Sequence, residues 1–189
     1  MPLGAWRRRR RPCCWFDLWV VGVGSASTGL VVLRGNSGSG KSTVARELQN
    51  PHVRQLAVVS QDLLRREVLR VRDRSENPAV ELIDLVARFA LDRGVHVVIE
   101  GILYADIYGS MLRSLAADHR GATAFFRFDL PFQETLRRHC AKGCNDFGER
   151  ELRQWWRDRD ALPGCAEQVI GVDQKVDDIA DLIDTAVRW

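Results

Sequence analysis

Residues 30–43, LVVLRGNSGSGKST, constrain this chain more than any other stretch. Four apolar residues, Leu30, Val31, Val32 and Leu33, read as a short buried strand. They run into Gly35-Asn36-Ser37-Gly38-Ser39-Gly40-Lys41-Ser42, which satisfies G-x-x-x-x-G-K-[ST] at every fixed position, and Val44-Ala45-Arg46-Glu47-Leu48 continues as a helix. Strand, glycine loop and helix in that order are the context such a motif needs. Glycines at 35, 38 and 40 permit positive φ, so consecutive N–H groups can converge on an anion without Cβ clashes. The helix opening near Lys41 adds unpaired N–H groups and the positive end of its dipole. The stretch is therefore expected to cradle the phosphates of ATP with Gly35, Asn36, Ser37, Gly38, Ser39, Gly40, Lys41, Ser42 and Thr43. Lys41 is expected to reach the β- and γ-phosphates, and the Ser42 hydroxyl to ligate Mg²⁺.

A chain of 189 residues suits one domain with a sizeable core. Its net charge is +3, but the five arginines at 7–11 exceed that on their own, and without them the chain stands at −2. The folded part is thus slightly acidic, which argues against a general nucleic-acid surface. The five cysteines, an odd number at irregular spacing, fit free thiols in a reducing cytoplasm better than a disulfide framework. No apolar run approaches the roughly 18 residues of a membrane helix. Residues 1–28 combine the arginine run, a short apolar patch broken by Asp17 and Gly22, and a Gly/Ser/Thr linker. They are expected to be a disordered extension or to reflect a start assigned too far upstream, with the domain over 29–189.

Beyond the first helix, apolar strands are predicted at 56–60, 95–99, 123–130 and 168–172. Helices are predicted over Leu63–Val71, from Pro78 to about Gly94, over Tyr104–Asp118, from Pro131 through Arg138, over Glu149–Asp160 and over Val176–Val187. Five strands alternating with helices imply right-handed βαβ crossovers, hence a three-layer α/β/α domain around a parallel sheet. Ligands of such sheets bind at the carboxyl ends of the strands, so residues just past strand ends become site candidates.

Asp62 and Glu100 stand at two such ends. A carboxylate at 62 can take the proton of an attacking hydroxyl, or simply cap the following helix. Glu100 can hold Mg²⁺ together with Ser42, or hydrogen-bond the glycine loop. Asp129, at the end of the fourth strand, reads as a strand-end cap. Arg137, Arg138, Lys142, Arg150, Arg153, Arg157 and Arg159 surround a glycine-bearing loop and form a basic lid at about 139–160, although interleaved acids also fit a solvated helix. Trp155 and Trp156 read as packing residues of that lid. Tyr104 and Tyr108 can line an acceptor pocket or the core. Cys140-x-x-x-Cys144, with His139, Asp146 and Cys165 nearby, lacks the second ligand pair of a zinc site.

GNSGSGKST, Ser60-Gln61-Asp62, Val98-Ile99-Glu100-Gly101 and the arginine-rich lid together resemble the small P-loop kinases over about residues 29–189. That superfamily includes nucleoside monophosphate, shikimate and gluconate kinases, chloramphenicol phosphotransferase and zeta toxins. The resemblance implies strand order 2-3-1-4-5, Asp62 as catalytic base beside Lys41, and a lid arginine best matched by Arg137 or Arg138, of which Arg138 is taken as catalytic. It implies ATP and Mg²⁺ as cofactors and a small-molecule hydroxyl as acceptor. The chain departs from monophosphate kinases in offering only Arg65 and Arg66 toward an acceptor phosphate. A toxin-type kinase of a nucleotide sugar is the alternative within the same chemistry. A nucleotide-dependent switch or ATPase is the alternative outside it, disfavoured because there is no N-K-x-D motif and no room for a second AAA+ domain. Neither the acceptor nor the oligomeric state is encoded in a recognisable pattern.

Overall fold

The computed structural model describes residues 22–141 and 147–189. Five parallel strands form one sheet in the order β2-β3-β1-β4-β5: β1 Gly29–Gly35, β2 Leu56–Ser60, β3 His96–Gly101, β4 Ala122–Phe128 and β5 Glu167–Ile170. The helices are α1 Lys41–Gln49, α2 Ala79–Asp92, α3 Ala105–Asp118, α4 Phe132–Ala141, α5 Glu149–Trp155 and α6 Val176–Val187. Both the three-layer α/β/α class and the strand order agree with the sequence-based expectation. Among the described residues, no helix is long and apolar enough to cross a membrane.

The unbroken apolar run of β1 follows from its central position. Because side chains alternate across a strand, Leu30 and Val32 pack with Ile83, Ala87, Leu91, Leu112 and Leu115 of α2 and α3. Val31 and Leu33 pack on the opposite face with Val44, Leu48, Ile179 and Ile183 of α1 and α6. All four are fully buried, each contributing roughly 1.5–3 kcal/mol. With helices on both faces, no position of the strand is left for a solvated side chain.

Four details depart from the sequence reading. The ordered domain starts before residue 29: Val23 is buried, donates its N–H to Asp118, accepts from Arg120 and bridges to His119. The expected helix over Leu63–Val71 is instead a π-helical turn, Leu63–Val68, in which the Leu69 N–H reaches back five residues to the Leu64 carbonyl. β5 ends at Ile170, two residues early. Finally, α5 stops at Trp155 rather than Asp160, because the following segment is bonded elsewhere.

That segment is held by Arg34, a fully buried arginine on β1 directly before the glycine loop. Its guanidinium donates to the Asp160 carboxylate (2.7 Å) and carbonyl (2.7 Å), to Glu167 (2.8 Å) and to the Leu103 carbonyl (3.0 and 3.2 Å). Asp160 in turn accepts the Ala105 N–H at the start of α3 (3.0 Å). A buried charge is tolerable only when its hydrogen bonds are answered in this way. Arg34→Ala is expected to destabilise the fold by about 3 kcal/mol. This lies at the low end for a broken buried pair, because Arg127 still reaches Glu167 at 3.5 Å. Denaturant unfolding checks it, and a change below about 1 kcal/mol contradicts it.

Two buried imidazoles add a pH dependence. His96 accepts the Gly29 N–H at Nδ1 (3.0 Å), and His119 sits between Thr28 (3.0 Å) and Thr123 (2.8 Å). Burial holds both below the ordinary value of 6.5, and His52 adds to the effect at His96. In mildly acidic solution the unfolded chain therefore binds more protons than the folded one. Their contribution to stability is complete above about pH 6.5 and declines as pH falls through that value toward the lowered native pKa. The urea midpoint is expected to drop between about pH 7 and pH 5; a flat midpoint over that range contradicts the assignment.

Candidate active site

The glycine loop occupies the carboxyl end of β1, between β3 and β4. Its backbone is unusual where the motif demands it. Gly38 lies at φ +77°, and a Cβ there would stand 2.7 Å from the Thr135 carbonyl of α4. At Gly35 (φ +140°) a Cβ would collide with the Phe128 carbonyl. Neither position admits a side chain, so the loop stays wrapped close to its neighbours. Lys41 opens α1 and is buried; its Nζ donates to the Asn36 carbonyl (2.8 Å) and approaches Ser39 Oγ (3.1 Å), which arches the side chain back over the loop. Ser39 is buried within the loop, and Thr43 lies exposed on the first turn of α1.

Glu100, at the end of β3, accepts a hydrogen bond from Ser42 Oγ at 2.9 Å. The sequence left open whether Glu100 meets the loop or a metal. The geometry answers the first part, and the same two oxygens form one corner of a cavity of about 170 Å³ that Gly38, Gly40 and Lys41 also line. They are hard oxygen donors beside a phosphate-shaped loop, a donor set that suits Mg²⁺, which keeps most of its coordination for water and phosphate.

Asp62 does not act as a helix cap: its carboxylate makes no capping hydrogen bond, and its side chain is 59% exposed. One oxygen accepts from Arg65 at 3.0 Å. Asp62 borders both the loop cavity and a larger neighbouring one of about 560 Å³, and Ser37, Ile102 and Phe147 line both as well. The two spaces therefore adjoin along a seam that includes Asp62. The larger cavity falls within the usual size of small-molecule sites.

Its walls mix aromatic and basic groups. Tyr104 lines it while Tyr108, one helical turn on, is fully buried, so the pair divides between pocket and core. The Tyr104 hydroxyl donates to the Trp155 carbonyl (2.6 Å), and burial pushes its pKa up to about 12, which keeps it a neutral donor. Trp155 meets Phe147 edge-on at 5.0 Å, and Phe147 stacks on His139 at 4.6 Å. Trp156 packs against Phe132 instead. Arg157 lies over the Tyr104 ring (3.9 Å) and donates to Asp106 (2.6 Å). Its main chain is clipped to the loop, since the Asn36 side chain donates to the Arg157 carbonyl (2.7 Å) and accepts its N–H (3.0 Å).

Sequence reasoning passed over Arg72, Asp73 and Phe147, which line the cavity, and Gln61, which donates to Asp73 (2.8 Å) and accepts the Leu103 N–H (3.0 Å). None lies in a spaced motif, so only topology brings them together. The two lid arginines separate clearly. Arg137 is 68% exposed and bound only to Glu134, whereas Arg138 donates to Glu134 (2.6 Å) and to the Ser39 carbonyl of the loop (3.1 Å). The two arginines hold the Glu134 carboxyl down at about 2, so Arg138 keeps its anchor throughout the neutral range. Asp129 pairs with Arg127 at 2.8 Å.

For zinc, Cys144 and Asp146 lie outside the described residues, as does Lys142. Nε2 of His139 is hydrogen-bonded with the Phe147 carbonyl, Cys140 and Cys165 are free thiols, and no group of three or more metal-ligating side chains forms among the described residues.

A family model described as an AAA domain matches residues 30–161. No curated protein matches the chain in sequence. Among solved structures, a sugar kinase from Janibacter sp. HTCC2649 aligns with a TM-score of 0.66 at 20% identity, over 85% of this chain and 95% of that one. A gluconokinase from Sinorhizobium meliloti 1021 aligns with a TM-score of 0.63 at 18% identity, over 87% and 93%. The APS kinase of Mycobacterium tuberculosis, in complex with AMPPNP and APS, aligns with a TM-score of 0.59 at 21% identity, over 89% and 99%. At these identities the three alignments establish the fold. The family match spans well over half of the chain, and the protein thus belongs to this AAA-domain family, built on the fold of the small P-loop kinases.

Proposed function

We propose that the chain is a cytoplasmic ATP-dependent phosphotransferase that moves the γ-phosphate of ATP to a hydroxyl of a small molecule. One observation carries the reading: the phosphate loop adjoins a second cavity of about 560 Å³ along a seam that includes the Asp62 carboxylate. A loop that only bound or hydrolysed a nucleotide would have no use for a second, aromatic-walled space at its γ-phosphate side. The fold shared with sugar, gluconate and APS kinases supports the same reading.

In this scheme the loop N–H groups and Lys41 hold the triphosphate, and Arg138, anchored on Glu134, faces the loop from α4. The acceptor hydroxyl attacks the γ-phosphorus, and the bond from that phosphorus to the β,γ-bridging oxygen breaks. ADP leaves with the electron pair, and the hydroxyl proton passes to Asp62. Ser42 and Glu100 would hold Mg²⁺, whose charge offsets that of the phosphates. Most of the acceleration comes from placing the two substrates on either side of the seam and from fixed positive charge.

Lys41→Ala is expected to lower phosphate transfer by about 100-fold or more while leaving circular dichroism unchanged. Asp62→Asn should reduce turnover by about 100-fold with little change in the KM for ATP. A metabolite panel with radiolabelled ATP, reading label in the product, supplies the assay. Normal transfer by Lys41→Ala refutes the site, and equal losses in turnover and ATP affinity for Asp62→Asn assign that carboxylate a structural role.

A further inference from the structure

The larger cavity carries more positive charge than its own carboxylates answer. Four arginines line it, at 65, 66, 72 and 157, against two carboxylates, Asp62 and Asp73. Arg65 is committed: it donates to Asp62 (3.0 Å) and to the Val71 carbonyl (3.3 Å), and its Nε lies 3.9 Å from Asp73. Arg157 is tied to Asp106 at 2.6 Å. Asp73 is engaged as well, accepting from the Tyr108 hydroxyl (2.7 Å) and from Gln61 (2.8 Å). Arg66 and Arg72 are left. Among the described residues neither has an ion-pair or hydrogen-bond partner, and Arg66 makes only a distant contact with the face of Phe147 (5.8 Å).

Two uncompensated guanidinium groups on one wall of a small-molecule cavity are suited to an oxyanion, which their planar forks can grip through paired hydrogen bonds. Tyr104 and Trp155 also line the cavity and offer aromatic surface to the face of a ring. The reacting hydroxyl then belongs at the seam, beside Ser37 and Asp62.

We propose that the acceptor is a small hydroxyl compound bearing an oxyanion, carboxylate or phosphate, received by Arg66 and Arg72 while Tyr104 and Trp155 take its ring. The assignment rests on the kinase reading for the word acceptor, but the anion preference itself is measurable without turnover. A neutral sugar or an uncharged antibiotic would leave both arginines without counter-charge and is disfavoured as substrate.

Calorimetric titration of the full chain provides the test, with the loop first filled by Mg²⁺ and a non-hydrolysable ATP analogue so that anions cannot occupy it. The probes are glucose 6-phosphate, gluconate and glucose, followed by AMP and adenosine. In at least one of these sets the charged compound is expected to bind about 10- to 100-fold more tightly than its neutral counterpart. A response confined to phosphates or to carboxylates identifies which oxyanion the site accepts. The double variant Arg66→Ala, Arg72→Ala should erase that preference and keep the affinity for the ATP analogue, which also verifies its fold. Three results overturn the proposal: equal binding of charged and neutral compounds, a preference that survives both substitutions, or no anion bound to the filled enzyme. Failure of the kinase reading looks different. The ATP analogue then does not bind, or a bound anion takes no label, while the anion preference persists.

Discussion

The parallel pairing of β1 with β3 is the constraint on which the site depends. It sets Leu33 opposite Glu100 and Arg34 opposite Gly101. The carboxylate at the end of β3 therefore arrives beside the first turn of α1, where Ser42 meets it at 2.9 Å. The adjacent pairing of β2 with β3 sets Ser60 opposite Glu100 and delivers Asp62 just beyond the same edge. A sheet in any other order would scatter these groups. The chemistry is thus a consequence of topology, as expected at the carboxyl edge of a doubly covered parallel sheet.

A second layer of interactions joins the loop to the far side of the cavity. Arg34 holds Asp160, and Asn36 clips the main chain of Arg157, so the residues at and just before the loop grip the segment that follows α5. Arg157 then lies over Tyr104, which bonds the end of α5 through the Trp155 carbonyl. The donor loop and the aromatic wall of the neighbouring cavity are therefore built on one continuous hydrogen-bonded frame. This frame also explains why α5 stops early: the groups that would extend the helix are claimed by β1 and the loop.

Much of this was legible in the amino-acid sequence, for local reasons. The glycine loop is a contiguous motif whose glycines answer to backbone angles, and β1 is a contiguous apolar run. The alternation of strands with helices leads directly to a three-layer parallel sheet. The positions of Asp62 and Glu100 followed from strand ends. Other features depended on contacts distant in the chain. Nothing near Arg34 announces that Asp160 and Glu167, more than a hundred residues later, will surround it. The π-helical turn after Asp62 replaces a helix that local spacing favoured, and it leaves Asp62 paired with Arg65 instead of capping. Arg72, Asp73 and Phe147 sit in connections without periodicity and become cavity walls only through the fold. Arg137 and Arg138 are indistinguishable in sequence, and only their rotation about α4 sets one against the loop and the other in solvent.

The central claim is that residues 35–42 hold a nucleoside triphosphate with its γ-phosphate facing the seam at Asp62. A crystal structure with Mg²⁺ and a non-hydrolysable ATP analogue tests it most directly. The account predicts the β- and γ-phosphates within the loop, Lys41 on them, and the metal between the phosphates and the Ser42–Glu100 pair. The terminal phosphate should point toward the larger cavity. A nucleotide bound elsewhere, or one whose γ-phosphate turns away from Asp62, would contradict it.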